Sequence, residues 1–173
     1  VLTELEISQA QHAAEKLMKR KKKADMRPYI LFTFLLHTGL RKGETVRLVS
    51  NHLVLENSDQ PYLYVRYSDK RHIHKERRVE LNSDWVEYYT KYSEHYDVKE
   101  RVFPWSVRLL EYRLEDISNS AGLTKHISFE MLRWTCALRD FRDGMEPEKL
   151  RRKLGLSKVQ WGEVRRKIRK LLA

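Results

Sequence analysis

The sequence predicts a mainly α-helical fold with one small antiparallel β-sheet, an α+β arrangement in a single domain spanning residues 1–173. Three observations predict it. Apolar residues recur at helical spacing through most of the chain, strand-like alternation is concentrated between residues 62 and 81, and no linker, internal repeat or low-complexity tract breaks the pattern. A chain of this length can bury a core without disulfides or a structural metal.

Thr3 and Glu6 have the spacing of a capping box, so a first helix starts there and runs to about Lys22. Pro28 fits the first turn of a second helix, where its missing N–H is harmless; Ile30, Leu31, Phe34 and Leu35 form its buried stripe and Gly39 ends it. A short third helix begins near Arg41 and carries Val46 and Leu48 inward. Tyr62 to Val65 and Arg77 to Leu81 alternate as half-buried strands, with Leu53 to Leu55 as a first strand and a charged tip, Asp69 to Lys75, between the longer two. Beyond Asp84 the chain reads as helical. Trp85, Tyr88, Tyr89 and Tyr92 form a core-facing stripe, Val107, Leu110, Leu114 and Ile117 mark a helix ended by Gly122, and another spans about Phe129 to Arg142. Gly144 breaks that helix, Pro147 starts the next, and Ser157 caps a last one through Trp161 and Val164 to Leu172.

The net charge of +11 and isoelectric point near 9.8 favour a polyanionic partner, with nucleic acid first. The charge is clustered: Lys19 to Lys23 is an unbroken basic run, and Lys149 to Ala173 holds ten basic residues against Glu163 alone. Solvated helix faces are the competing reading of each run. The single cysteine, Cys136, excludes an internal disulfide and sits in a buried helical pattern, so a reducing interior is expected. With no long apolar span and no leader pattern, the chain reads as soluble, cytoplasmic and DNA-associated.

Two segments carry more specific information. Leu35-Leu36-His37-Thr38-Gly39-Leu40-Arg41-Lys42-Gly43-Glu44 joins a glycine-allowed turn to a helix start, aiming N–H groups and a guanidinium at one point, as a phosphate oxygen requires. This segment resembles the first arginine box of the tyrosine recombinases. Ile127-Ser128-Phe129-Glu130-Met131-Leu132-Arg133-Trp134-Thr135-Cys136-Ala137 is similar to the second, Ile-Thr-Pro-His-x-Leu-Arg-His-x-x-Ala. With the hairpin between them and the helical remainder, the resemblance covers nearly the whole chain. It implies the catalytic-domain fold of phage integrases and Xer-type recombinases, with the separate N-terminal core-binding domain absent from this chain.

What the resemblance implies for function is double-stranded DNA binding in integration or recombination. Arg41 and Arg133 would clamp the scissile phosphate, a fixed electrostatic role needing no metal or other cofactor. Lys70 is the nearest match to the hairpin lysine that protonates the leaving oxygen, and Lys75, in Lys75-Glu76-Arg77-Arg78-Val79-Glu80-Leu81, is its rival because the tip is two residues longer than usual. Arg71 joins these as a DNA-facing residue. His72 and His74 alternate at the tip without a Cys or carboxylate cluster at ligand spacing, so they read as DNA-facing or solvated and no metal site is expected.

Elsewhere the sequence departs from the family. Glu130 stands at the box-two histidine, and an ion pair from it to Arg41 or Arg133 would neutralise the clamp when DNA is absent. Leu156, in Lys153-Leu154-Gly155-Leu156-Ser157, replaces the residue that supports the transition state, and leucine donates no hydrogen bond. The nucleophilic tyrosine falls on Arg165; no tyrosine follows Tyr112. Ser157, Thr135 and Cys136 are possible nucleophiles by chemistry but lack the matching position and an evident base. Trp161 reads as core packing rather than as the supporting residue. The leading expectation is a DNA-binding domain unable to cleave by itself, alone, as a homo-oligomer or with a related recombinase. The alternatives are an active site-specific recombinase whose nucleophile is non-standard or supplied by a partner, and a protein-interaction module using the helix Gly162 to Leu172.

Overall fold

The computed structural model describes residues 1–56 and 59–173. Helix α1 spans Glu4–Lys19 and starts at the expected capping box, with the Thr3 hydroxyl accepting from the Glu6 amide and the Glu6 carboxylate accepting from the Thr3 amide at 2.8 Å. It stops at Lys19 rather than Lys22. Arg20 leaves in extended geometry and its guanidinium donates to the Lys23 carbonyl at 2.7 Å. Continuing the helix would stack cations three and four residues apart, a repulsive arrangement.

Helix α2, Arg27–Thr38, holds Pro28 in its first turn and buries Ile30, Leu31, Phe34 and Leu35 as predicted, but Phe32 and Leu36 are buried as well. A helix apolar all round must be central, and α2 packs against α1, α4 (Ser83–His95), α5 (Val107–Ala121) and α6 (Phe129–Arg142). Gly39 ends α2 in the left-handed region at φ 65° and turns the chain into α3, Lys42–Arg47.

Strands β1 (Leu53–Val54), β2 (Tyr62–Val65) and β3 (Arg77–Glu80) form an antiparallel sheet in the order β1-β2-β3, pairing Leu63 with Val79 and Val65 with Arg77. Leu63, Val65 and Val79 face the core, which places Arg77 on the inward register too. Between β2 and β3 the charged tip folds into 3-10 turns over Lys70–Lys75, capped by the Asp69 carboxylate.

In α4, Trp85, Tyr89 and Tyr92 are buried, and their polar ends are satisfied: Trp85 Nε1 donates to the Ile30 carbonyl at 3.2 Å and Tyr92 to that of Val102 at 2.7 Å. Helix α5 is capped by Ser106 and ends at Gly122, and α6 is capped by Ser128. Helices α7 (Pro147–Lys153) and α8 (Lys158–Leu172), the latter with a Ser157–Gln160 capping box, close a second apolar cluster of Ala137, Leu150, Leu154, Leu156, Trp161 and Ile168. Among the described residues no helix is long and apolar enough to cross a membrane.

Trp161 anchors α8 to the body, so Trp161→Ala should remove about 3 to 5 kcal/mol from urea unfolding. A variant as stable as the parent would show that the indole is not core.

Candidate functional site

Three arginines from three different elements meet at one short loop. Arg41 follows Gly39 and Leu40 and caps α3; Arg77 comes from the inward face of β3; Arg133 lies in the second turn of α6. The loop is Lys153-Leu154-Gly155, between α7 and α8, and its successive carbonyls each accept from a different guanidinium. Arg77 Nε donates to Lys153 O at 2.6 Å, Arg133 Nη2 to Leu154 O at 2.7 Å, and Arg41 Nη2 to Gly155 O at 2.9 Å. Arg133 Nη1 also donates to Gly39 O at 2.7 Å, tying the first box to the second. Gly155 sits at φ 65°, and a Cβ there would lie 2.6 Å from Arg77 Nη1 and 2.9 Å from Arg41 Nη1. Only glycine lets both guanidiniums approach.

Glu44 is the carboxylate of this cluster. It accepts from the Arg41 amide at 2.9 Å and pairs with Arg41 at 3.2 Å and with Arg77 through both oxygens at 2.7 and 2.9 Å. The Tyr67 hydroxyl adds a bond at 2.5 Å. Burial would raise this carboxyl, yet the hydrogen bonds and charge of Arg77, with Tyr67 and the Arg41 amide, hold it at about 2. Arg133 is only 6% exposed, and burial, then the charges of Arg41 and Arg77, bring it down to about 9. At neutral pH the cluster therefore holds three cations against one anion. An anion approaching Arg41 would relieve that excess.

A cleft of about 430 Å³ opens beside the cluster, lined by Arg41, Arg133, Lys42, His126, Glu130 and Trp134 among others. The expected ion pair from Glu130 is not formed. Glu130 is exposed in the first turn of α6 and accepts from Trp134 Nε1 at 3.4 Å, one turn on, while Glu44 is the carboxylate that pairs with Arg41. Leu156 points into the second apolar cluster, and its carbonyl accepts from Arg151 at 2.8 Å. Arg165 is half-buried on α8, and its Nε is enclosed without a hydrogen-bond partner among the described residues.

Lys70 is exposed, and Arg71 is exposed and paired with Asp69 at 2.7 Å. Lys75 is half-buried with its Nζ 5.7 Å from the centre of the Tyr67 ring. The Lys75 carbonyl accepts from Arg77 Nη1 at 2.5 Å, which places the end of the tip beside the cluster. Among the described residues no three His, Cys, Asp or Glu side chains are grouped to hold a metal ion. The possible nucleophiles are all engaged structurally: Ser157 caps α8, Thr135 accepts from the Leu2 amide at 3.0 Å, and burial pushes the Cys136 thiol up to about 12.

Sequence reasoning missed Arg77 and Tyr67 as site residues. The available signal was register, since alternation with Val79 puts a charged Arg77 on the buried face, where it needs an acidic partner.

Because the folded-state pKa of Glu44 is depressed, its contribution is full above the ordinary carboxylate range and is lost as pH falls toward about 2. Glu44→Gln should thus cost about 3 to 5 kcal/mol in urea unfolding at pH 7, with a smaller deficit at pH 3. Equal deficits at both pH values would mean that the carboxylate charge is not what holds the arginines.

The sequence model of the phage integrase family matches residues 1–161. The fold resembles that of XerA recombinase, with a TM-score of 0.76 and 22% identity over 94% of this chain and 56% of that one. It also resembles XerH site-specific recombinase bound to difH substrate in a pre-cleavage complex (0.77, 19%, 95% and 48%). A lambda integrase dimer bound to a COC′ core site gives 0.68, 18%, 95% and 58%. This chain thus spans about half the length of these solved structures. A comparison with curated protein sequences finds no match. With arginine boxes, hairpin and helical frame arranged as described, and the family's sequence model extending over all of them, the chain belongs to the phage integrase family.

Proposed function

We propose that residues 1–173 form a tyrosine recombinase-like domain that binds double-stranded DNA in integration or recombination and does not cleave it unaided. The observation that carries this reading is the convergence of Arg41, Arg77 and Arg133 on the carbonyls of one loop, with Glu44 paired to Arg41 and Arg77 alone, which leaves an excess of positive charge at the edge of an open cleft. A phosphodiester supplies the missing anion and acceptor oxygens in the geometry that guanidinium groups favour. Arg41, with its side chain a quarter exposed and held by Glu44, is the member that a phosphate reaches first, while Arg133 is buried and bonded to the Gly39 and Leu154 carbonyls. Catalysis is another matter. A cleaving enzyme needs a nucleophile in line with the phosphorus and a proton acceptor, and here Arg165, Glu130 and Leu156 occupy the positions that the resemblance assigns to those roles and to transition-state support.

Fluorescence anisotropy of a mixed-sequence duplex across a salt series tests the binding. Arg41→Ala should weaken binding and lower the slope of log affinity against log salt by about 1, the effect of one lost phosphate contact. An unchanged slope would remove Arg41 from the interface. Incubation with a nicked duplex should yield no covalent protein–DNA complex on a denaturing gel; a covalent band would establish the rival, an active recombinase.

A second reading has its own observation. Leu171 and Leu172 at the end of α8 are exposed at 61 and 40%, apolar side chains suited to a protein partner such as another copy or a related recombinase. Leu171→Ser with Leu172→Ser, which leaves the buried Trp161 and Ile168 in place, would then abolish self-association while leaving DNA affinity unchanged.

A further inference from the structure

The arginine cluster extends into the hairpin tip through one side chain, Tyr67. Its hydroxyl donates to Glu44 Oε2 at 2.5 Å, so the ring is fixed to the same carboxylate that pairs with Arg41 and Arg77. Its backbone N–H donates to Glu76 Oε1 at 2.9 Å, closing the tip across its base. Lys75 Nζ lies 5.7 Å from the ring centre, within cation–π range, and the His72 ring lies 5.6 Å away. The Lys75 carbonyl accepts from Arg77 Nη1 at 2.5 Å, so the backbone of this lysine is bonded to the cluster itself. Lys70, at the other end of the 3-10 turns, is exposed.

We infer that Lys75, rather than Lys70, is the tip cation that meets a phosphate bound at the arginine cluster, and that Tyr67 is the residue that positions it. The inference rests on the DNA-binding reading and adds the identity of the lysine and the means of holding it. A free lysine loses rotamer freedom on reaching a phosphate. A ring that already engages the ammonium, anchored by its hydroxyl, makes part of that loss before DNA arrives.

The test uses the whole chain and the same duplex and salt series. Lys75→Gln should lower the salt slope by about 1, and Lys70→Gln should leave it as in the parent. Tyr67→Leu, which removes the ring, should lower the slope as Lys75→Gln does, and the double variant Tyr67→Leu with Lys75→Gln should fall no further. Tyr67→Phe keeps the ring but loses its anchor on Glu44 and should give a slope between those of the parent and Tyr67→Leu; a slope below that of Tyr67→Leu would overturn the assignment. A purely structural tyrosine would give the opposite pattern, with Tyr67→Leu lowering stability and affinity independently of Lys75 so that the two changes add. A slope that falls with Lys70→Gln and not with Lys75→Gln would also overturn the assignment. Arg41→Ala separates the two levels: if it lowers the slope while neither Lys75 nor Tyr67 matters, only the tip assignment fails. If the parent shows no salt-dependent binding, the DNA reading falls and the assignment with it.

Discussion

Everything in this fold converges on the loop Lys153-Leu154-Gly155, whose three carbonyls each hold a guanidinium. A buried cation needs hydrogen-bond acceptors on every side that water cannot reach, or it destabilises the structure by several kcal/mol. That requirement organises the elements around it. Helix α6 delivers Arg133, the inward register of β3 delivers Arg77, and the left-handed turn at Gly39 delivers Arg41 while offering its own carbonyl to Arg133. Helices α7 and α8 each pack against α6 and thereby hold the accepting loop at the right depth.

The loop is also secured from behind. Lys153 Nζ pairs with Asp140 at 2.5 Å, and Cys136 Sγ lies 3.6 Å from the same carboxylate. Both partners of this ion pair are largely buried, so it fixes where the Lys153 backbone sits and hence where Arg77 can bind. Cys136 has a structural part in this packing: its Sγ would lie 3.3 Å from a Cβ at position 39, which leaves room there for glycine and little else.

How much of this was legible in the sequence depends on the range of the interaction that fixes each feature. Helix starts were readable because caps are local: Thr3, Ser128 and Ser157 each accept from an amide three residues on. The stop of α1 was misplaced by three residues because apolar spacing ignores the mutual repulsion of Lys19 to Lys23. Arg41 was legible in its turn and helix start, whereas Arg133 was singled out only by the resemblance of its segment to the family's second arginine box. Glu130 was assigned a partner it does not have, since sequence proximity to Arg133 suggested a contact whereas the helix turns that side chain toward Trp134. Arg77, Tyr67 and the accepting carbonyls are joined over separations such as the 76 residues between Arg77 and Lys153, and only the assembled sheet and loop bring them together.

Packing alone does not explain the composition of the cluster. A set of arginines needed merely to tie helices to a sheet would be more stable if each charge were matched, because every unmatched buried cation raises the cost of the next. Here Glu44 pairs with Arg41 and Arg77 while Arg133 has only carbonyl partners, and burial with the charges of its two neighbours holds Arg133 below the usual guanidinium range. Of the two acids that line the adjoining cleft, Glu130 is bonded to Trp134 and Glu111 pairs with Lys42, so neither matches the buried arginines. Folding gains nothing from this imbalance. An external anion at the mouth of the cleft would complete the set, which is what the proposed DNA-binding reading asks of this cluster.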